Sequence, residues 1–144
     1  MFINIDDYIM IGEDSLKVAQ QAAEANRENA EAIAIEEVSG FLRNRYDVTT
    51  IFAAEKTDTS DPRNKQMVML VCDIALYHLV SSRPAKQGLE IRKERYDNAI
   101  KTLTSIQAGK LQPDLPTIVG PDGEEDYNNP IRFGSQPRNY YGPY

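Results

Sequence analysis

The chain has one cysteine, Cys72, and one histidine, His78. A single cysteine excludes an internal disulfide and supplies no metal cluster. A single histidine lacks the further ligands that a metal needs, and a nucleophile relay would require a Ser or Cys with an orienting acid. Cys72 and His78 lie six apart, which on a helix turning about 100° per residue points them in opposed directions. Basic residues are also few, 16 against 22 acidic ones, for a formal net charge of −6. Gripping a nucleic-acid backbone needs clustered Lys and Arg, so the charge disfavours that role. No apolar run approaches the roughly 20 residues of a membrane span, and MFINIDDYIM carries acids where a signal peptide is basic. The segment GPDGEE (120–125) has neither the ligand alternation of a calcium loop nor the ending of a phosphate loop, and AGKLQ (108–112) lacks the upstream glycine of a Walker motif. No internal repeat or long heptad run is present. No catalytic, cofactor-binding or metal-binding residue can be named, so the chain is expected not to be an enzyme.

What remains is helix. The 144 residues suit one domain, and 41% hydrophobic with 26% charged residues is ordinary for a chain with its own core. Short helices are expected at 6–11 and 16–23, broken by Gly12 and capped by Asp14 or Ser15. Three long ones follow. The first, 24–46, is free of proline and sets Ala34, Ile35, Val38, Phe41, Leu42 and the stem of Arg45 on one face. Gly40 within it costs on the order of 1 kcal/mol relative to Ala, which close approach of another helix would offset. A loop over 47–61 tucks Ile51 and Phe52 against the core. The second long helix, 62–82, is expected to start with Asp61 as cap and Pro62 in its first turn. Met67, Leu70, Val71, Ile74, Ala75, Tyr77, His78 and Leu79 cover more than half its circumference, so it is central. The third, 89–108, carries Ile91, Tyr96, Ala99, Ile100, Leu103 and Ile106, with Gly109 ending it. The fold class is therefore all-α, a small bundle of three long helices with short N-terminal ones.

Charges inside this pattern need partners. Asp73 sits in an apolar helix, where a lone carboxylate is expensive. Arg43 and Arg45 are its expected partners, since a guanidinium fork suits a carboxylate. Arg92, Lys93, Glu94, Arg95 and Asp97 read as a solvated face with Lys93 pairing Asp97. Arg92, Arg95 and Tyr96 are also the candidates for contact with a neighbouring subunit. Cys72 reads as a buried small hydrophobe.

From 113 onward the helical period disappears. Residues 111–144 hold six of the eight prolines and four of the eight tyrosines. Such a stretch cannot bury enough apolar surface alone to offset its ordering entropy, yet it is too aromatic for a plain linker. We therefore divide the chain into a helical domain, 1–112, and an extended arm, 113–144. The arm becomes ordered on a neighbour, adding a short strand at 117–119 or 131–133, with a hairpin tip at Pro121, Asp122 and Gly123. Its contact residues are expected to be Ile118, Val119, Ile131, Arg132, Phe133 and Arg138, with Tyr140 and Tyr141 as anchors.

Three helical segments in order, Phe41-Leu42-Arg43-Asn44-Arg45-Tyr46, Asp73-Ile74-Ala75-Leu76-Tyr77 and Arg95-Tyr96-Asp97-Asn98-Ala99-Ile100-Lys101-Thr102-Leu103, followed by Gly109-Lys110, resemble motifs of the Mu-like phage head–tail connectors. These are adaptors that form a ring beneath the portal. The resemblance covers roughly 1–112; the long Tyr/Pro tail departs from compact members and is similar to the longer ring proteins of crAss-like podophages. It implies a structural virion protein at the neck, made in the host cytoplasm. It further implies about twelve copies in a closed ring, contacting portal on one side and a tail or second ring protein on the other. DNA would pass only as cargo, for which an acidic lumen is suitable, and no membrane is involved. A helical protein-binding module outside the virion, regulatory or chaperone-like, is the alternative.

Overall fold

A computed structural model describes residues 1–84 and 88–118. Among these residues a 3₁₀ segment, Ile5–Met10, precedes five α-helices: α1 (Glu13–Gln21), α2 (Glu24–Leu42), α3 (Val48–Ala53), α4 (Lys65–Ser81) and α5 (Leu89–Gln107). The architecture is all-α, as expected. Helix α4 is central, packed between α2 and α5, with the 3₁₀ segment and α1 covering another side. Eleven of its residues are buried, from Met67 and Val68 through Leu79 and Val80, because its sequence offers an apolar side chain in nearly every direction. Cys72 is fully buried among them. Helix α2 contributes Ala34, Val38 and Leu42, and α5 contributes Ala99, Leu103 and Ile106. Gly109 adopts φ 81°, the left-handed conformation that lets the Lys110 amide turn back to the Ser105 carbonyl at 2.9 Å and close α5.

Several local expectations are corrected. The stretch after Tyr46 is a short helix, α3, since Asp47 accepts hydrogen bonds from the Thr50 amide at 3.3 Å and the Thr50 hydroxyl at 2.7 Å. Ile51 is buried there, and Phe52 meets Phe2 edge-on at 4.9 Å. Helix α4 starts at Lys65, not Pro62. Asn64 is its cap, accepting from the Met67 amide at 3.1 Å, while the Asp61 carboxylate is taken by Arg63 and Lys65. Gly12, not Asp14 or Ser15, precedes α1. Ile91 points out, 62% exposed, and its neighbour Arg92 points in. At Gly40 a Cβ would meet nothing within 4 Å, so no close helix approach compensates that glycine.

The N-terminus is fastened by Arg63, only 4% exposed. Its guanidinium donates to Asp7 at 2.6 and 3.0 Å, to Asp61 at 2.8 and 2.9 Å and to the Phe2 carbonyl at 2.7 Å. These bonds use all five N–H donors of the side chain. Burial pushes the Asp7 carboxyl up, but hydrogen bonds from Arg63 and the Asn4 amide, with the guanidinium charge, hold it below its ordinary value. Hydrogen bonds from Arg63 and Lys65 hold Asp61 well below the usual range. A second buried link joins Tyr8 to α2, its hydroxyl donating to Glu31 at 2.8 Å, with Arg27 at 3.4 Å from the same oxygen.

The body continues past 112. Leu115 packs against the core. The Asn64 side chain donates to the Asp114 carbonyl at 3.2 Å. An isolated antiparallel bridge pairs Tyr46 with Thr117, with Asp47 N–H donating to the Pro116 carbonyl and Ile118 N–H to the Arg45 carbonyl, both at 2.9 Å. Where a strand on a neighbour was expected at 117–119, the described residues show a single bridge at Thr117 on the chain itself, and Val119 lies outside the described residues.

Replacing Arg63 by alanine leaves Asp7 buried without its partner, and should lower the urea-derived unfolding free energy at pH 7 by about 3–5 kcal/mol. Asp7 and Asp61 have folded pKa values below the unfolded value of about 3.9. Their stabilisation is therefore complete at neutral pH and is lost as pH falls below about 4 through the folded values; Arg63→Ala should lose less on that acidification than the native chain. Gly40→Ala should gain about 0.5–1 kcal/mol, read from the same urea curves.

Candidate functional site

The residues singled out in the sequence come together around α4, in a different pairing from the one expected. Asp73 is bound by Arg95, whose Nε donates to Oδ1 at 2.5 Å and Nη2 to Oδ2 at 3.2 Å. Arg43 and Arg45 are not its partners. Arg43, the exposed residue that caps α2, donates to both Glu36 oxygens at 2.8 and 2.9 Å, and Arg45 lies past the end of α2, where its carbonyl accepts from Ile118. The reason is topological. Helices α4 and α5 form an antiparallel pair around the connection near Pro84, and positions 73 and 95 lie equally far from it. Arg92, also turned inward, donates to the Ser15 hydroxyl at 2.9 Å and ties α5 to α1. All three residues considered for contact between subunits bind within the chain, Arg95 to Asp73, Arg92 to Ser15 and Tyr96 to Glu37. Lys93 pairs with Asp97 at 3.0 Å on the solvent side, as expected.

The third, Tyr96, belongs to a half-exposed cluster on α2, α4 and α5. Its ring stacks on Tyr77 with centroids 4.4 Å apart, and its hydroxyl donates to Glu37 Oε2 at 3.0 Å. The other Glu37 oxygen lies 2.5 Å from His78 Nε2. Burial and the Glu37 carboxylate beside it push the Tyr96 hydroxyl up to about 12. One carboxylate thus joins a tyrosine of α5 to the histidine of α4. Alongside runs an open cleft of about 660 Å³ between α2 and α5, lined by Glu37, Phe41, Tyr96, Asp97, Ile100 and Lys101.

The groups gathered here are a carboxylate, an imidazole and two stacked phenol rings. The His78 ring meets the Glu37 carboxylate and an aromatic wall, while Ser81 bonds the His78 main-chain carbonyl and not its ring; Cys72 is buried elsewhere on α4, and burial pushes its thiol up. Among the described residues no group of three or more His, Cys, Asp or Glu could hold a metal, and no helix is long and apolar enough to cross a membrane. Of the arm residues, Ile118 donates its amide to the Arg45 carbonyl beside the Tyr46–Thr117 bridge; Val119, Ile131, Arg132, Phe133, Arg138, Tyr140 and Tyr141 lie outside the described residues. Arg63 and Glu37 were not visible as site residues in the sequence. The one signal was the charge alternation of Asp61, Arg63 and Lys65, which reads equally well as a cap.

Burial raises the Asp73 carboxyl more than Arg95 lowers it, so the folded state takes up this proton more readily than the unfolded one. As pH falls from neutral through the folded value, this residue's contribution to stability should rise, and Asp73→Asn should remove that rise from a urea-midpoint profile between pH 7 and about 4. At pH 7 Asp73→Asn should stay within about 1 kcal/mol of the native chain. Arg95→Ala, which strands a buried carboxylate beside a partly open edge, should cost about 2 kcal/mol.

No curated protein and no solved structure matches the chain. A family model does, the one described as Bacteriophage Mu, Gp36, and it matches residues 5–127. That span takes in every helix of the bundle, the Asp73–Arg95 pair and the aromatic cluster beside the cleft. This chain is accordingly a bacteriophage protein and belongs to the Mu Gp36 family.

Proposed function

We propose that the chain is a head–tail connector subunit: copies pack head to tail into a ring of about twelve beneath the portal, DNA passes through as cargo, and the work is assembly without turnover. The observation that carries this reading is the family match running through the whole helical body. The surface of that body supports it. Large apolar side chains stand out on three separate elements: Ile9 and Met10 on the 3₁₀ segment, Ile33 on α2 and Ile91 on α5, at 57%, 42%, 50% and 62% exposure. Apolar groups spread over different elements suit contacts that differ on the two sides of a subunit, as a closed ring requires. With Arg92 and Arg95 engaged inside the chain, these residues take their place as the ring contacts.

In this reading the arm reaches portal or a tail-side ring protein, and the length of that arm is what likens the chain to the ring proteins of crAss-like podophages. Each arm contact is modest, and repetition around a ring turns modest contacts into firm attachment. The protein would be made in the host cytoplasm and end at the virion neck. A regulatory or chaperone-like helical module would share this body but would be absent from virions.

Mixing the full-length protein with its portal should give closed rings at the portal face in electron micrographs. A chain ending at Ile118 should keep its helical circular dichroism and fail to join. Full attachment of the shortened chain would remove the arm from the mechanism. Absence of the full-length chain from purified virions would remove the connector role altogether.

A further inference from the structure

From the cleft between α2 and α5 we infer a docking site for the chain's own terminal segment, residues 129–144, held in cis. Three observations direct the segment there. The first is the point of departure. Ile118 is bonded to Arg45, and because the Tyr46–Thr117 bridge is antiparallel, the chain at Ile118 runs back toward the C-terminal turn of α2. Phe41, which lines the cleft, is four residues back from Arg45, in the last turn of α2. The second is reach. The 13 positions from Ile118 to Ile131 span up to about 43 Å when extended, and Pro121, Asp122 and Gly123 allow the chain to turn on the way.

The third is chemistry. The cleft is lined by apolar Phe41 and Ile100 and by two carboxylates, Glu37 and Asp97, with Lys101 beside them; Glu37 is bonded to Tyr96 and His78 and Asp97 to Lys93, and each carboxylate keeps further lone pairs for another donor. The sequence after Ile118 divides sharply by charge: 119–128 holds four acids and no base, and 129–144 holds Arg132 and Arg138 and no acidic side chain. The acidic half brings no donor cation for those carboxylates. The second half brings two guanidiniums for the carboxylates, with Ile131, Phe133 and the Tyr140–Tyr141 pair for Phe41 and Ile100 and for the exposed Tyr96 edge. Tethering gives the cis segment a high effective concentration at the cleft, above what a second copy reaches in dilute solution.

This inference deepens the connector reading by giving the arm a resting place: a docked arm is withheld from portal until a competing surface draws it out. The two stand or fall separately. An arm found in the cleft of a protein missing from virions would leave this site intact and end the connector role; an arm never found there would leave the connector role untouched.

The test uses the full chain. A nitroxide attached through Ser135→Cys, with Cys72 fully buried and protected from labelling, should broaden the amide signals of Phe41, Tyr96, Asp97 and Ile100 in a nitrogen-15 spectrum. The loss of intensity should be independent of protein concentration. Adding Arg132→Glu and Arg138→Glu should restore those signals, and since both lie outside the helical body, the same spectrum reports that the body is folded. No broadening at the cleft would overturn the proposal. Broadening that grows with concentration would assign the cleft to a second copy and overturn the cis assignment. Broadening that survives the charge reversal would overturn the charge-guided docking.

Discussion

Arg63 is the side chain on which the rest of the arrangement depends. It sits between the 3₁₀ segment and the start of α4, with no direct exposure to speak of, and every N–H it has is bonded. A buried guanidinium is tolerable only when its donors are satisfied and its charge is met, and here two carboxylates and a main-chain carbonyl do both. The consequences spread. Asp7 is fixed, so the short N-terminal segment is held over α4; Tyr8, the next residue, is placed to bond Glu31 on α2. Asp61 is consumed, so the cap of α4 passes to Asn64, and Asn64 in turn holds the Asp114 carbonyl with its amide nitrogen. The first residues and Asp114 are thereby fastened to one short stretch before the central helix.

The central helix explains the polar links among the long helices. Because α4 is apolar almost all round and covered on several sides, any polar or charged side chain on it must be met by a neighbour. Asp73 meets Arg95 on α5, and His78 meets Glu37 on α2. Arg92 reaches Ser15 on α1 from the other flank of α5. Each pair joins different helices, so the polar contacts fix how the helices are placed around a core whose apolar packing alone would permit several arrangements.

Much of this was legible in the sequence. The 3–4 spacing of Ala34, Val38 and Leu42 marked the inner face of α2, the all-round apolarity of 67–80 marked a central helix, and Gly109 marked the end of α5. These are signals read within a few turns of chain. The failures share a cause. Arg63 and Asp7 are 56 positions apart, and no local pattern distinguishes that arginine from one in a solvated cap. Arg95 looked like part of an exposed charge run, and Arg43 like a buried partner, because choosing between them requires knowing which helices oppose which. Ile91 and Arg92 exchanged places relative to the simple stripe, since a hydroxyl on α1 stood where an apolar contact was expected. The cleft by Tyr96 is made by two helices that touch only in the folded chain, so no motif could announce it.

The bridge at Tyr46 and Thr117 also has a mechanical side. It is the last described point at which the arm is held to the helical body, through two main-chain hydrogen bonds facing opposite ways. Tension along the axis of the bridge strains both bonds at once, as shear does in a sheet, whereas tension at right angles opens them one after the other, as a zip. Anything that pulls on the arm from the direction of α2 therefore meets a firmer anchor than something pulling it away from the body, and the direction of pull becomes a property that the fold itself discriminates.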